Sequence, residues 1–202
     1  MLFSIIIPTY NRLRWTKKCL NSLENEVINY DCEIIVIDDG STDDTISFLK
    51  TFSYESNLDL HIASCNRRGP AHARNIGSRM SRGEVICFLD DDSIVQPRWF
   101  EELSRVFSNL DEQYASVKGY VKAYYNDPLS MFLEKFIHIS DSWATNNIAF
   151  RKEVFLKADG FDENFTFAAW EDLDLGFRLE KMGYKRFYNE QMVIRHPPAT
   201  SR

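Results

Sequence analysis

The chain has no excess of positive charge: 24 lysines and arginines stand against 30 aspartates and glutamates, for a net charge of −6. That balance argues against a general nucleic-acid surface, which needs clustered cations facing phosphate. The four cysteines, Cys19, Cys32, Cys65 and Cys87, have no paired or metal-like spacing. They read as reduced core residues of a cytoplasmic protein, so neither a disulfide framework nor a thiolate metal site is expected. The start, Met1-Leu2-Phe3-Ser4-Ile5-Ile6-Ile7-Pro8, has no basic leader and is too short for a signal peptide or a membrane span. No repeat or low-complexity linker interrupts the chain. No G-x-G-x-x-G follows the first strand signal, which disfavours a nicotinamide-dependent oxidoreductase. What remains, 202 residues with 44% hydrophobic content, suits one globular domain.

Strand and helix signals alternate. Leu2–Ile7 reads as an apolar strand stopped by Pro8, and Trp15, Cys19, Leu20 and Leu23 share a helical face after Asn11. Glu33–Ile37 is a second strand. Ser41 and Asp44 form a capping-box pattern ahead of a helix carrying Ile46, Leu49 and Phe52. Leu60–Ala63 is a weaker third strand, Ala71–Met80 a third helix and Val85–Leu89 a fourth strand. This order predicts a doubly wound, mostly parallel sheet flanked by helices. Beyond residue 93 the pattern loosens: a helix near Pro97–Phe107, a strand near Val117–Val121, a helix near Leu129–Ile139, a strand at Asn147–Phe150 and a short one at Met192–Ile194. Both halves, 1–92 and 93–202, are expected to share one sheet.

The most informative feature is Asp90-Asp91-Asp92 at the end of the apolar run Val85-Ile86-Cys87-Phe88-Leu89. In open α/β sheets ligands bind beyond the carboxyl ends of the strands. Three carboxylates crowded there repel one another unless a cation neutralises them. Mg²⁺ takes oxygen ligands from one or two carboxylates plus substrate phosphates, so a metal–diphosphate site is the leading idea. The plainer alternative is an acidic turn that caps the next helix. The other strand ends also carry groups able to hold a nucleotide. These are Pro8-Thr9-Tyr10-Asn11-Arg12, Asp38-Asp39, and the segment from Arg67-Arg68-Gly69 to Arg74-Asn75-Ile76-Gly77. Arginines at a helix amino terminus attract phosphate, and a carboxylate such as Asp39 accepts hydrogen bonds from a base or a ribose. Small Ala71, Ala73 and Gly77 allow close packing.

Taken in order, Ile7-Pro8-Thr9-Tyr10-Asn11-Arg12, Val36-Ile37-Asp38-Asp39-Gly40-Ser41, Arg68 to Gly77, Phe88 to Asp92, Asn146 to Arg151, Gly160 to Phe165 and Trp170 to Leu175 resemble the family 2 glycosyltransferases of the GT-A fold. The resemblance runs from residue 3 to about residue 196. It implies a single catalytic domain with a nucleotide-binding half (1–92) and an acceptor-binding half (93–202). It also implies a nucleotide-sugar donor, most simply a UDP-sugar, a glycan or lipid-linked acceptor, and Mn²⁺ or Mg²⁺. Thr9, Asp39 and Arg74 would hold the base and ribose, with Pro8, Tyr10, Arg12, Arg68 and Asp91 around the donor. Asp90 and Asp92 match the outer carboxylates of the family's D-x-D motif, Asp92 being the better direct ligand. His196 matches an extra metal ligand of some relatives, and an imidazole favours Mn²⁺.

The resemblance assigns the catalytic base to the Glu171–Asp172 pair, and Asp172 in the first turn of its helix is the choice. Asp174 with Arg178 is an ordinary i,i+4 pair. Glu171, Asn147 and Trp170 are acceptor candidates. A single base with no second carboxylate placed as a nucleophile suggests inversion, again by resemblance. A sugar-nucleotidyltransferase is the alternative enzyme, disfavoured because the loop after the first strand has no glycine or lysine. A non-catalytic nucleotide-sugar or glycan-binding module is the alternative from another class. Arg12, Arg14, Lys17 and Lys18 allow peripheral contact with anionic lipid at the inner face of a membrane, against the plainer reading of a solvated helix face.

Overall fold

The computed structural model describes residues 1–27, 29–124, 143–166 and 170–197. In chain order the elements are β1 (Phe3–Thr9), α1 (Leu13–Val27), β2 (Cys32–Asp38), α2 (Thr45–Glu55), β3 (Asp59–Ser64), α3 (Pro70–Met80), β4 (Val85–Leu89), β5 (Ile94–Val95) and α4 (Trp99–Phe107). There follow β6 (Tyr114–Ala123), β7 (Asn147–Arg151), α5 (Lys152–Lys157), α6 (Glu171–Lys181) and β8 (Lys185–His196). The expected helix near residues 129–139 lies outside the described residues.

The strands form one sheet in the order β3-β2-β1-β4-β7-β6-β8-β5. β3, β2, β1 and β4 are parallel, as the alternation of signals predicts. β7 then inserts antiparallel between β4 and β6, β8 runs parallel to β6, and β5 pairs antiparallel with β8. The sheet is therefore mixed, and the second half of the chain extends the first half's sheet directly through β4. Among the described residues no helix is long and apolar enough to cross a membrane.

Both faces of the sheet are covered, which is why β4 is apolar throughout and buried at every position. Ile5 and Ile7 of β1 face a core with Cys19, Leu20 and Leu23 of α1 and Trp99 and Phe100 of α4. Ile6 faces the other way, onto Ala71 and Ala73 of α3, Phe88, Phe150, Phe155 and Leu175. Alternate residues of one strand thus feed opposite cores. Of the four cysteines, Cys19 and Cys87 are buried as expected, whereas Cys32 and Cys65 are half-buried.

Three local expectations are corrected. β1 does not stop at Pro8 but runs to Thr9, because pairing with β4 has already ended at Ile6. The Asp39 amide donates to the Thr9 carbonyl (2.8 Å), so the Thr9 backbone faces β2 and Pro8 faces the side where no ladder partner is missed. The Ser41–Asp44 capping box does not form. Asp43 instead accepts from the Thr45 amide (3.1 Å), while Ser41 serves the loop, its amide donating to Asp38 (3.0 Å) and its hydroxyl accepting from the Asn11 amide (2.8 Å). β6 and β8 are also longer than the apolar stretches that announced them, the first half of β8 being largely exposed with only Asn189 buried before Met192.

α3 lies close on β1. A side-chain carbon added at Gly77 would stand 2.4 Å from Cγ2 of Ile6. Gly77→Val is therefore expected to lower stability by about 1–3 kcal/mol through overpacking, read as a lower urea midpoint; an unchanged midpoint would contradict this packing.

Candidate active site

Because β1, β2, β3 and β4 run in one direction, their carboxyl ends meet at one edge, and β8 ends there too with His196. The edge borders a cavity of about 920 Å³. Its walls include Pro8, Thr9, Tyr10, Arg12, Asp39, Arg74, Asp90, Asp91, Asp92 and His196, together with Arg14, Trp15 and Lys17 of α1. Ten residues singled out in the sequence thus share one cavity.

Cations from three distant segments answer the three carboxylates. Arg12, in the loop after β1, reaches Asp91 (3.3 Å) and pairs with Asp92. Arg74, on α3, donates to Oδ1 of Asp90 (2.8 Å). His196, at the end of β8, places Nε2 2.8 Å from Oδ1 of Asp92 and 3.5 Å from Oδ2 of Asp90. Burial favours the neutral acid at Asp90, but His196 and Arg74 outweigh it and hold this carboxyl well below the usual carboxylate range. Burial pushes Asp91 up to about 7 against the pull of Arg12. It opposes charge on His196, yet the two carboxylates raise that imidazole to about 10.

The chemistry of this edge fits a divalent cation. One ligand atom from each of Asp90, Asp92 and His196 lies within 4.8 Å of the others. Asp92 Oδ1 and His196 Nε2 are buried and face each other at 2.8 Å. His196 Nδ1 donates to the Pro197 carbonyl (2.7 Å), which leaves Nε2 as the nitrogen available for coordination. Two carboxylates and an imidazole suit Mn²⁺ and, with waters, Mg²⁺. The similar trio Glu33, Asp59 and His61 sits at the opposite edge, where Arg82 already pairs with both acids.

The other candidates fall into distinct positions. The Thr9 hydroxyl is buried between Asp91 (2.8 Å) and Thr16 (2.9 Å), so it supports Asp91. Asp39 accepts from the amides of Arg68 and Gly69 (both 2.8 Å) and thereby shapes the turn into α3. The Arg68 side chain is mostly exposed, 3.7 Å from Glu163. Tyr10 is covered by the Arg67 guanidinium, 4.8 Å from its ring centre. At the start of α6, Glu171 is buried and bonded to Arg74 (2.9 Å), and burial raises its pKa. Asp172 follows it, half-exposed, its Oδ1 accepting from the Leu173 amide (2.8 Å). Trp170 is 66% exposed, with left-handed backbone (φ 76°).

Asn147, read as an acceptor contact, is instead part of the sheet. It is fully buried, donates to the carbonyls of Tyr120 (3.0 Å) and Met192 (2.9 Å), and accepts from the Trp99 indole (2.9 Å). Those three bonds use its carboxamide inside the core.

Sequence reading did not single out Lys118 on β6. It is buried, its ammonium donates to Ala144 O (2.9 Å) and Asn146 Oδ1 (2.8 Å), and burial pulls its pKa down to about 7 despite nearby Asp90. The available signal was a lone charge in the apolar strand Val117–Val121, since buried lysines need partners. Because the folded pKa lies below the unfolded value of about 10.4, the unfolded chain holds the extra proton between these values, and this group makes stability rise with pH there. The wild type should therefore gain stability relative to Lys118→Met as pH rises from about 7 to 10, measured by calorimetry. A pH-independent difference would contradict the buried, weakly basic lysine.

A family model described as "Glycosyl transferase family 2" matches residues 4–168. Poly(ribitol-phosphate) β-N-acetylglucosaminyltransferase TarS of Staphylococcus aureus is 31% identical over 118 residues, covering 58% of this chain and 20% of TarS. Hyaluronan synthase of Pasteurella multocida is 27% identical over 223 residues, covering 89% of this chain and 23% of the synthase. The chain thus spans less than a quarter of the length of either relative. Among solved structures, TarS 1–349 in complex with UDP superposes with a TM-score of 0.76 at 21% identity, over 98% of this chain and 61% of that one. A Pyrobaculum calidifontis mannosyltransferase in complex with GDP-Man and Mn²⁺ gives 0.74 at 23% identity, over 96% and 56%. These likenesses show the fold.

Proposed function

The chain belongs to glycosyl transferase family 2, and from that premise we propose that it moves a sugar from a UDP-sugar to a hydroxyl of a glycan or lipid-linked acceptor, with inversion. The observation that carries this reading is the convergence of Asp90, Asp92 and His196 at the mouth of a cavity walled by the loop after β1. Pro8, Tyr10 and Arg12 line the donor side, with Asp39 holding the turn that closes it. Mn²⁺ or Mg²⁺ held by Asp90, Asp92 and His196 would supply Lewis-acid neutralisation of charge on the departing nucleoside diphosphate.

Asp172, half-exposed at the amino terminus of α6, accepts the proton of the acceptor hydroxyl as that oxygen attacks. Exposed Trp170 beside it offers a flat apolar face to the acceptor. The nucleotide-binding half is residues 1–92 and the acceptor-binding half residues 93–202. The four free thiols support a reducing, cytoplasmic setting. Arg14 and Lys17 at the cavity rim support contact with the inner face of a membrane.

A thermal-shift screen of nucleotide sugars tests the donor reading. A UDP-sugar at about 100 times its Kd should stabilise the wild type by about 2.7 kcal/mol with Mn²⁺ present and less without it. In Asp92→Ala the shift should be indifferent to Mn²⁺; persistent metal dependence there would move the ligand elsewhere. Asp172→Asn should lower transfer by about 10²–10⁴-fold while UDP affinity, by calorimetry, stays near the wild-type value. Equal loss of both would remove Asp172 from the base role.

A further inference from the structure

We propose that Arg74 is a positioning residue that locks the amino terminus of α6 to the carboxyl edge of β4, so that Asp172 and Asp90 are held as one unit; its consequence for catalysis rests on the glycosyl-transfer reading above. Arg74 is 3% exposed, and the two arms of its fork go to different places. One terminal nitrogen donates to Glu171 Oε1 (2.9 Å), 97 residues away, and the other to Asp90 Oδ1 (2.8 Å), 16 residues away. A planar guanidinium can hold two carboxylates at a set separation, which the single ammonium of lysine cannot. Glu171 is itself 2% exposed, so the Glu171 arm of the link is shielded from solvent and salt, while the Asp90 arm is partly exposed.

The neighbouring residue reinforces the same frame. Asn75 donates to the Phe161 carbonyl (2.8 Å) and accepts from the Phe161 amide (3.0 Å), pinning the chain that leads toward α6. From α6 itself, Arg178 reaches the carbonyls of Ala158 and Gly160. α3 therefore fixes both the approach to α6 and its first residue. With both terminal nitrogens committed to carboxylates, Arg74 is placed to orient Asp90 and Glu171, whereas the family resemblance gives it the base of the donor.

The test compares the wild type with Arg74→Lys, Glu171→Gln and the double variant. In the ligand-free protein, the amides of Asp174 and Leu175 should exchange about tenfold faster in each single variant and no faster again in the double, because both changes cut one link. With Mn²⁺ and a UDP-sugar, Glu171→Gln should lower kcat about tenfold and leave donor KM within about twofold. By calorimetry with Mn²⁺, Arg74→Lys should change the affinities for UDP and for inorganic pyrophosphate by the same factor. A loss confined to UDP would reveal a direct base contact and overturn the proposal. So would unaltered exchange at α6, additive exchange in the double variant, or an unchanged kcat in Glu171→Gln. Glu171→Gln alone carries the test if Arg74→Lys does not fold. Should the wild type turn over no nucleotide sugar, the exchange result still decides the link, and only the glycosyl-transfer reading falls.

Discussion

Mutual repulsion among Asp90, Asp91 and Asp92, forced together where β4 leaves the core, is the constraint around which the rest of the site is built. The chain answers it with Arg12, Arg74 and His196, delivered by the β1–α1 loop, α3 and the end of β8. Each cation takes a different carboxylate oxygen. Arg12 occupies Oδ2 of Asp92 and leaves Oδ1 facing Nε2 of His196. The groups that balance charge in the folded chain are thus the ones that would turn to a metal ion, with His196 giving up its Nε2 proton. Removing Arg74 leaves the buried carboxylate of Glu171 without its cation, which is costly.

The sheet makes this assembly coherent. Parallel β1, β2, β3 and β4 bring four loops to one edge, and the antiparallel insertion of β7 beside β4 sets β6 and β8 alongside. Only because β8 runs parallel to β6 does its last residue, His196, arrive at the edge where Asp90 and Asp92 stand. Arg74 of α3 then joins that edge to the first residue of α6.

Much of this was legible in the residues. The βαβ alternation foretold the parallel half, and apolar Val85–Leu89 foretold a strand buried on both faces. The small residues of α3 foretold close packing, and the structure shows that Gly77 meets Ile6 of β1. Less legible were features set by partners far along the chain. Pro8 looked like a strand end, and only the early end of the β4 ladder shows why it is tolerated. Asn147 looked like a polar contact for sugar, but its bonds to Tyr120, Met192 and Trp99 depend on a strand order that local pattern does not encode. Arg74 was singled out for the donor, but its bond to Glu171 was not foreseen and Lys118 was not singled out, because burial beside Glu171 or under Ala144 is a property of the assembled sheet.

The most direct measurement is a crystal structure of the chain soaked with UDP and Mn²⁺. The account predicts one metal ion between Asp90, Asp92 and His196, touching the pyrophosphate, with the uridine between Tyr10 and Asp39. A crevice left empty under those conditions, or a nucleotide bound away from the three aspartates, would contradict it.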